Sequence, residues 1–342
     1  MVFSYVAVYG FSVKNNYLLE NRLKLKEELL LNRIGTFLSI LLLLLIIMAG
    51  CSSPSSDENE QAGMKIYTSI YPIQYITERI GGDTVQVESV YPPGVDAHTY
   101  EPTTKEMTSI ADSEAFIYLG AGMEGFAESA ADALNSEDVA LIELGKHEEL
   151  FHTEKRNEDH HHDDGHHHGD HNPHIWLDPI RMIDMAGIIK GDLIELNPEE
   201  KELYVQNFTS LKKDLLALDK EFRTTLQNKE NTEILVSHAA YGYWESRYGI
   251  EQIAISGLTS SDEPSQKELT QIIDKAKKDD INYVIFEQNG SDRVSQIIQE
   301  QIGAKALQIH NLSVLTEEDI QNDEDYFSLM KHNLSVLDQA TD

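Results

Sequence analysis

The sequence has one cysteine and few basic residues, and both scarcities narrow the classes of protein it can encode. Cys51 has no partner for an intramolecular disulfide, and one thiolate cannot build a cysteine-based zinc site. The chain has 27 lysines and arginines against 59 aspartates and glutamates, a net charge of −32. Such a surface repels nucleic acid and anionic lipid and attracts cations, although it also serves simple solubility. We therefore expect no nucleic-acid partner.

Histidine is concentrated in one short segment. Seven of the 14 histidines lie in the run HHHDDGHHHGDH, which contains no apolar residue and so cannot contribute to a core. Imidazole and carboxylate groups in a solvated loop bind borderline divalent metals, zinc above all. A purification tag and an acidic linker with incidental histidines are the alternatives. We predict auxiliary metal capture by His160, His161, His162, His166, His167, His168 and His171.

The first fifty residues have the pattern of a secretory signal. Basic residues precede an apolar stretch over residues 34–48, and a small pair then leads to Cys51. The pair Ala49-Gly50 before Cys51 resembles a bacterial lipobox, which implies that Cys51 is lipidated. We predict a signal peptide over 1–50 and a flexible tether over 51–63. A transmembrane helix is the alternative, because the apolar stretch is near the lower length limit for a span.

Short β-branched runs alternate with helical patterns along the rest of the chain, which predicts parallel βαβ units. Four runs precede the middle of the chain and four follow it, at 65–70, 85–90, 115–119, 139–144, 233–237, 252–255, 282–286 and 304–309. We predict an α/β fold of two lobes, each with a four-stranded, mainly parallel sheet. The first lobe covers 64–196, with the histidine-rich loop at 147–173, and the second covers 229–342.

The segment between the lobes, residues 197–228, predicts one long rigid helix. Asn197 suits an N-cap, and Pro198 suits the first helical position. Apolar residues then recur every three or four positions up to Leu226, which keeps one helical face apolar. The alternative is an ordinary surface helix that belongs to one lobe.

Three histidines outside the loop lie where ligands gather in parallel sheets, outside the carboxyl ends of strands. His98 follows the second predicted strand, and His238 follows the first strand of the second lobe. His174 lies where order is predicted to resume after the histidine-rich loop. Each alone fits a structural or surface histidine better than a ligand. Their matching contexts, together with the loop, favour a shared metal site.

Three motifs, PPGVDAHTYEP, HIWLDP and SHAAYGY, occur in this order. They resemble the metal-specific solute-binding proteins of bacterial ABC transporters, known as the cluster A-I or cluster 9 family. The resemblance covers residues 64–342, and the histidine-acid loop before HIWLDP is typical of the zinc-uptake branch. It implies two α/β lobes bridged by a long helix, with the metal held in the cleft by His98, His174 and His238.

The resemblance leaves the fourth ligand open. It places a carboxylate where this sequence has Ser313. Glu287, at the end of a predicted strand, and a water molecule are the candidates, with His310 and Glu317 as weaker options. Asp178 in HIWLDP either orients a ligand imidazole or caps the helix that follows, and the Asp-Pro pair favours the cap.

These observations predict a Zn²⁺-binding protein that is not an enzyme. Three imidazoles suit zinc, whereas manganese favours more carboxylate. Three histidines and a water also occur in catalytic zinc sites, but HExxH and a nucleophile elbow are absent from the sequence. We expect a monomer, lipid-anchored at the extracellular face of the bacterial cytoplasmic membrane, that delivers zinc to an ABC permease. A manganese-binding paralogue and a surface adhesin are the alternatives.

Overall fold

Two parallel sheets form the framework of the chain. The structure is a computed structural model that describes residues 63–152, 171–259, 262, 264–288 and 293–342. The first sheet has the order β2-β1-β3-β4, with all neighbours parallel. Its strands are β1 (Met64–Thr68), β2 (Val85–Ser89), β3 (Ala115–Tyr118) and β4 (Ala140–Glu143).

The second sheet repeats this arrangement in the order β6-β5-β7-β8, again with parallel neighbours. Its strands are β5 (Glu233–His238), β6 (Glu251–Ser256), β7 (Tyr283–Glu287) and β8 (Lys305–Ile309). Each strand lies within two residues of a run predicted from the sequence. The predicted α/β fold with two four-stranded sheets is confirmed, and the pairing is parallel throughout.

Helices connect the strands, as parallel pairing requires. Within the first sheet they are α1 (Tyr71–Gly81), α2 (Thr104–Ala111) and α3 (Ala127–Leu134). In chain order, α4 (Pro179–Leu196) and α5 (Lys201–Leu226) come between the two sheets. The strands of the second sheet are connected by α6 (Gly242–Tyr248), α7 (Gln266–Lys278) and α8 (Arg293–Ile302). The chain ends with α9 (Glu317–Gln321) and α10 (Tyr326–Ala340) after β8. No helix in the described ranges is long and apolar enough to cross a membrane.

The start of the long helix differs from the expectation. A 3₁₀ turn at Pro198–Glu200 precedes α5, which begins at Lys201. The side chain of Asn197 makes no capping hydrogen bond. The backbone N–H of Asn197 instead bonds to the carbonyl of Leu193 and ends α4. The turn between two consecutive helices therefore takes the place of a capped helix start.

The apolar stripe of α5 is buried as its periodicity predicts, except that Phe208 is only partly buried. The helix packs against α1, α4 and α10. The main hydrophobic core combines the stripe with residues of the first sheet and of α10, whereas a smaller core lies under α7 and α8. The helix is thus supported along its length. The buried residues of the stripe are Tyr204, Leu211, Leu215, Leu218, Phe222 and Leu226.

One buried acid ties α5 to the second sheet's first helix. Asp219 accepts hydrogen bonds from Arg223 Nε at 3.0 Å and, on α6, from Arg247 Nε at 2.8 Å and the Tyr248 hydroxyl at 3.3 Å. Burial would raise the pKa of the Asp219 carboxyl, but the hydrogen bonds from Arg247 and Arg223 outweigh burial and lower it below its ordinary value of 3.8. The ionised form therefore stabilises the fold.

Replacing Asp219 with Asn should lower the free energy of unfolding by about 1–3 kcal/mol at pH 7, because partly buried arginines lose their charged acceptor. A carboxyl whose folded pKa is lowered stabilises the fold above its unfolded pKa, and this contribution is lost as pH falls through the folded pKa. Urea unfolding should therefore show that the difference from wild type shrinks as pH falls below 3.8, the ordinary pKa of an aspartate. The control Asp214→Asn removes one partner of a partly exposed ion pair with Arg79 and should cost under about 1 kcal/mol. Equal losses in both variants would contradict this role for Asp219.

Candidate metal site

His98 is held in place by the loop that follows β2. Its backbone N–H donates to Asp96 Oδ1 at 2.8 Å, and the Tyr91 hydroxyl donates to the carbonyl of Ala97 at 2.8 Å. Gly125 packs so closely under this loop that a Cβ there would lie 2.9 Å from the His98 carbonyl oxygen. Backbone contacts thus fix the position from which the His98 ring reaches the site.

His174 begins the 3₁₀ turn Ile175–Leu177 that leads into α4, and its ring is completely buried. Asn172 Oδ1 accepts from the His174 backbone N–H at 3.0 Å and lies 2.8 Å from His174 Nδ1. Because the backbone N–H can only donate, this atom of Asn172 is the amide oxygen, and Nδ1 of His174 carries the proton. Nε2 of His174 is therefore the free lone pair.

His238 is the last residue of β5, an interior strand of the second sheet. Its Nδ1 lies 2.6 Å from Glu287 Oε1, at the end of the neighbouring strand β7. The same carboxylate accepts from the Tyr241 hydroxyl at 2.9 Å and from Asn311 Nδ2 at 2.7 Å. Glu287 thus fixes the proton of His238 on Nδ1, which leaves Nε2 as the lone pair.

The three histidines converge on one point. One ring nitrogen from each of His98, His174 and His238 lies within 4.8 Å of the others, and no other such group of His, Cys, Asp or Glu occurs among the described residues. His174 Nε2 and His238 Nε2 are 3.2 Å apart. Two nitrogens bound tetrahedrally at about 2.0–2.1 Å from zinc would lie about 3.3–3.4 Å apart. The observed separation is close to the one that zinc requires.

The two facing lone pairs repel each other unless a cation lies between them. His174 and His238 both commit Nδ1 as a donor, so neither Nε2 can donate to the other while the rings are neutral. His98 Nδ1 is also buried, with no hydrogen-bond partner among the described residues. A bound cation would satisfy the two facing Nε2 lone pairs, so the three histidines could hold a metal ion.

The environment sets the protonation of each ring. Burial, with the neighbouring imidazoles, lowers the pKa of His98 and takes that of His174 well below its ordinary value of 6.5. Burial also opposes protonation of His238, but the charge and hydrogen bond of Glu287 outweigh it and raise the pKa of His238. His98 and His174 are therefore ready as neutral ligands, and His238 is where protons compete best.

The candidates for the fourth ligand lie outside this cluster. Glu287 contacts His238 on the nitrogen remote from His174 and is fully engaged by three donors. His310 uses both ring nitrogens, one toward Asp319 and one toward the backbone of Leu312. The hydroxyl of Ser313 donates to Asn311.

Glu317 begins α9 and also lies outside the cluster. Asp178 accepts from the backbone N–H of Ile180 at 2.9 Å, so the interpretation as a helix cap is confirmed. The partner that orients His174 is Asn172 instead.

Several predicted features fall outside the described residues: the signal peptide, the tether, Cys51 and the loop histidines from His160 to His168. The last loop histidine, His171, is described and lies apart from the cluster. Its Nε2 is 3.1 Å from Glu148 Oε2, and its ring stacks on Phe151 with 5.2 Å between centroids.

Sequence reasoning missed three residues that hold the histidine cluster in place. Asn172 carries a local signal, because an Asn two residues before a histidine can form an Asx turn. Tyr241 follows His238 closely, but its bond to Glu287 spans 46 positions. Asn311 has no signal, since its contact with Glu287 depends on the pairing of β7 with β8.

Comparison with known proteins identifies the family of the chain. The family model for ZnuA, described as zinc-uptake complex component A, periplasmic, matches residues 66–340. Zinc-binding lipoprotein AdcA of Streptococcus pneumoniae serotype 4 is 33% identical over 298 residues, 87% of this chain. The high-affinity zinc uptake system protein ZnuA of Bacillus subtilis is 30% identical over 305 residues, which cover 89% of this chain and 96% of that protein.

A solved structure supports the same relationship. The Zn(II)-bound ZnuA-like domain of Streptococcus pneumoniae AdcA superposes with a TM-score of 0.67 at 31% identity, covering 82% of this chain and 99% of that domain. The match to the whole AdcA protein spans 59% of its length. Since the family model spans most of the sequence, the chain belongs to the ZnuA family of zinc-uptake components.

Proposed function

We propose that the chain is the extracytoplasmic zinc-binding protein of an ABC uptake system, which captures Zn²⁺ between its two sheets and delivers it to a permease. The observation that carries the proposal is the pair of Nε2 lone pairs, on His174 and His238, held 3.2 Å apart. Both rings donate from Nδ1 to acceptors behind them. This arrangement presents two nitrogen donors to a cation, for which a metal ion and a proton compete.

We assign His98, His174 and His238 as the ligands and a water molecule as the fourth. An all-imidazole donor set favours zinc over manganese, which is harder and prefers oxygen. His98 is only partly buried, so solvent can reach the site from its side. Glu287 then acts as the partner that orients His238 and strengthens its nitrogen as a donor.

The same geometry argues against catalysis. A carboxylate that served as general base for a zinc-bound water would lie within hydrogen-bond reach of that water. Glu287 instead contacts Nδ1 of His238, the nitrogen remote from the facing pair, and its oxygens are bonded to Tyr241 and Asn311. We therefore infer a binding role in transport.

Two parts of the proposal rest on the sequence alone. The histidines from His160 to His171 would collect zinc weakly and feed the cleft, and lipidated Cys51 would anchor a monomer at the outer face of the cytoplasmic membrane. The loop's density of imidazoles and the signal-like segment before Cys51 support these roles.

Removing one ligand should abolish tight binding. His238→Ala should weaken zinc affinity by more than about 100-fold, beyond the 10–100-fold typical of losing an outer partner. Competition with a chromophoric chelator measures this, and the thermal stabilisation by zinc should fall with affinity. His332→Ala, an exposed histidine outside the cluster, is the control and should bind as wild type. Wild-type affinity in His238→Ala would refute the site.

Zinc affinity should fall as the pH is lowered, by about a factor of ten per pH unit, because each bound zinc displaces about one proton. Glu287 raises the pKa of His238, so His238 is protonated first as pH falls and zinc must displace that proton. The lowered pKa values keep His98 and His174 neutral over the same range. Competition titrations between about pH 5 and 8 give the slope. A slope near three protons would contradict this order of protonation.

Cys51 should be the membrane anchor. Cys51→Ser should leave the protein unprocessed or release it from the membrane fraction, because no other cysteine can accept the lipid. Labelling cells with a radioactive fatty acid and fractionating them measures both effects. Normal lipid labelling of Cys51→Ser would show that a different residue carries the anchor.

A further inference from the structure

The segment from His310 to Leu315, which follows β8, touches structures around all three histidines. Its Leu315 carbonyl accepts from the backbone N–H of Gly94, in the loop that carries His98, at 2.9 Å. Its Asn311 carbonyl accepts from the indole N–H of Trp176, two residues after His174, at 2.7 Å. The Asn311 side chain reaches Glu287 behind His238. Asn311 is therefore the residue of this segment with links toward two ligands.

The orientation of the Asn311 amide is fixed by its neighbours. Its Oδ1 accepts from the backbone N–H of Ser313 at 3.0 Å, from the Ser313 hydroxyl at 2.8 Å and from Gln288 Nε2 at 2.8 Å. A backbone N–H can only donate, so this atom is the oxygen. Nδ2 consequently faces Glu287 Oε2, 2.7 Å away, and donates to it.

The second link runs through an aromatic ring. Trp176 is completely buried, and its ring centroid lies 5.2 Å from that of His174. The indole N–H has its acceptor in the Asn311 carbonyl, which fixes the plane of the indole against the imidazole. One residue thus holds the carboxylate that orients His238 and the ring that packs on His174.

We propose that the side chain of Asn311 is a positioning group of the zinc site and acts on His238 through Glu287. The backbone carbonyl of Asn311, which holds Trp176 beside His174, is kept in every side-chain variant. The inference rests on the proposed function. Without the Nδ2 donor, one oxygen of Glu287 loses its partner and the carboxylate can rotate away from His238 Nδ1. The two Nε2 atoms are then no longer held at the separation that suits a tetrahedral metal.

The test measures zinc affinity and cobalt absorption of the full chain in detergent, with competition by a tight chelator to exclude weak sites. Asn311→Ala should weaken zinc binding about tenfold and shift the d–d bands of bound Co²⁺, since outer partners tune ligand geometry. If this variant does not fold, Asn311→Ser carries the same test, because its hydroxyl is too short to reach Glu287.

Asn333→Ala is the matched control. Asn333 is fully buried and holds the same segment, accepting from the His310 N–H at 2.8 Å and donating to the His310 carbonyl at 2.7 Å. The Asn333→Ala variant should lower the thermal unfolding midpoint of the metal-free protein and leave zinc affinity and the cobalt spectrum unchanged. A merely structural role for Asn311 would make the two variants alike.

A double-mutant cycle tests the route. In a Glu287→Gln background, Asn311→Ala should weaken zinc binding only about twofold, because the carboxylate through which Asn311 acts on His238 is already absent. A wild-type affinity and spectrum in Asn311→Ala, equal losses in Asn333→Ala, or full additivity with Glu287→Gln would each overturn the inference. Failure of the wild-type chain to bind zinc tightly would instead overturn the proposed function.

Discussion

The arrangement of the site depends on two imidazole nitrogens that face each other with their lone pairs. His174 precedes the 3₁₀ turn that leads into α4, and His238 ends strand β5 of the second sheet. Their Nε2 atoms are nevertheless 3.2 Å apart. Asn172 and Glu287 each hold one Nδ1 from behind, which keeps the two Nε2 lone pairs directed at each other. The fold thus prepares donors for a metal before the metal arrives, which reduces the reorganisation that binding requires.

The parallel sheets and the convergence of the histidines could be predicted from sequence because both depend on local patterns. Apolar runs define strands, and ligands gather outside the carboxyl ends of parallel strands, where His98 follows a strand of the first sheet and His238 ends a strand of the second. Asp178 could be assigned as a cap because capping is decided within three residues.

The function of Glu287 could not be predicted in the same way. A glutamate at a strand end can bind the metal directly, or it can hydrogen-bond to a histidine that binds the metal. Which of these roles Glu287 has depends on the nitrogen of His238 that it contacts. The contacts of Asn311 could not be predicted from sequence, because its partners Glu287 and Trp176 lie 24 and 135 positions away. The cap expected at Asn197 is wrong for a local reason, because Asn197 ends α4 through its backbone N–H and a 3₁₀ turn follows before α5.

The packing of α10 on α5 has a consequence for how the chain acquires its structure. The Tyr75 hydroxyl on α1 contacts Asp325 at the start of α10 across 250 positions of sequence, and Tyr326 and Met330 belong to the core of the first sheet. That core can therefore close only after residues near 330 have been synthesised. Because the entropy of closing so long a loop must be lost before these contacts form, we expect this core to close late in folding.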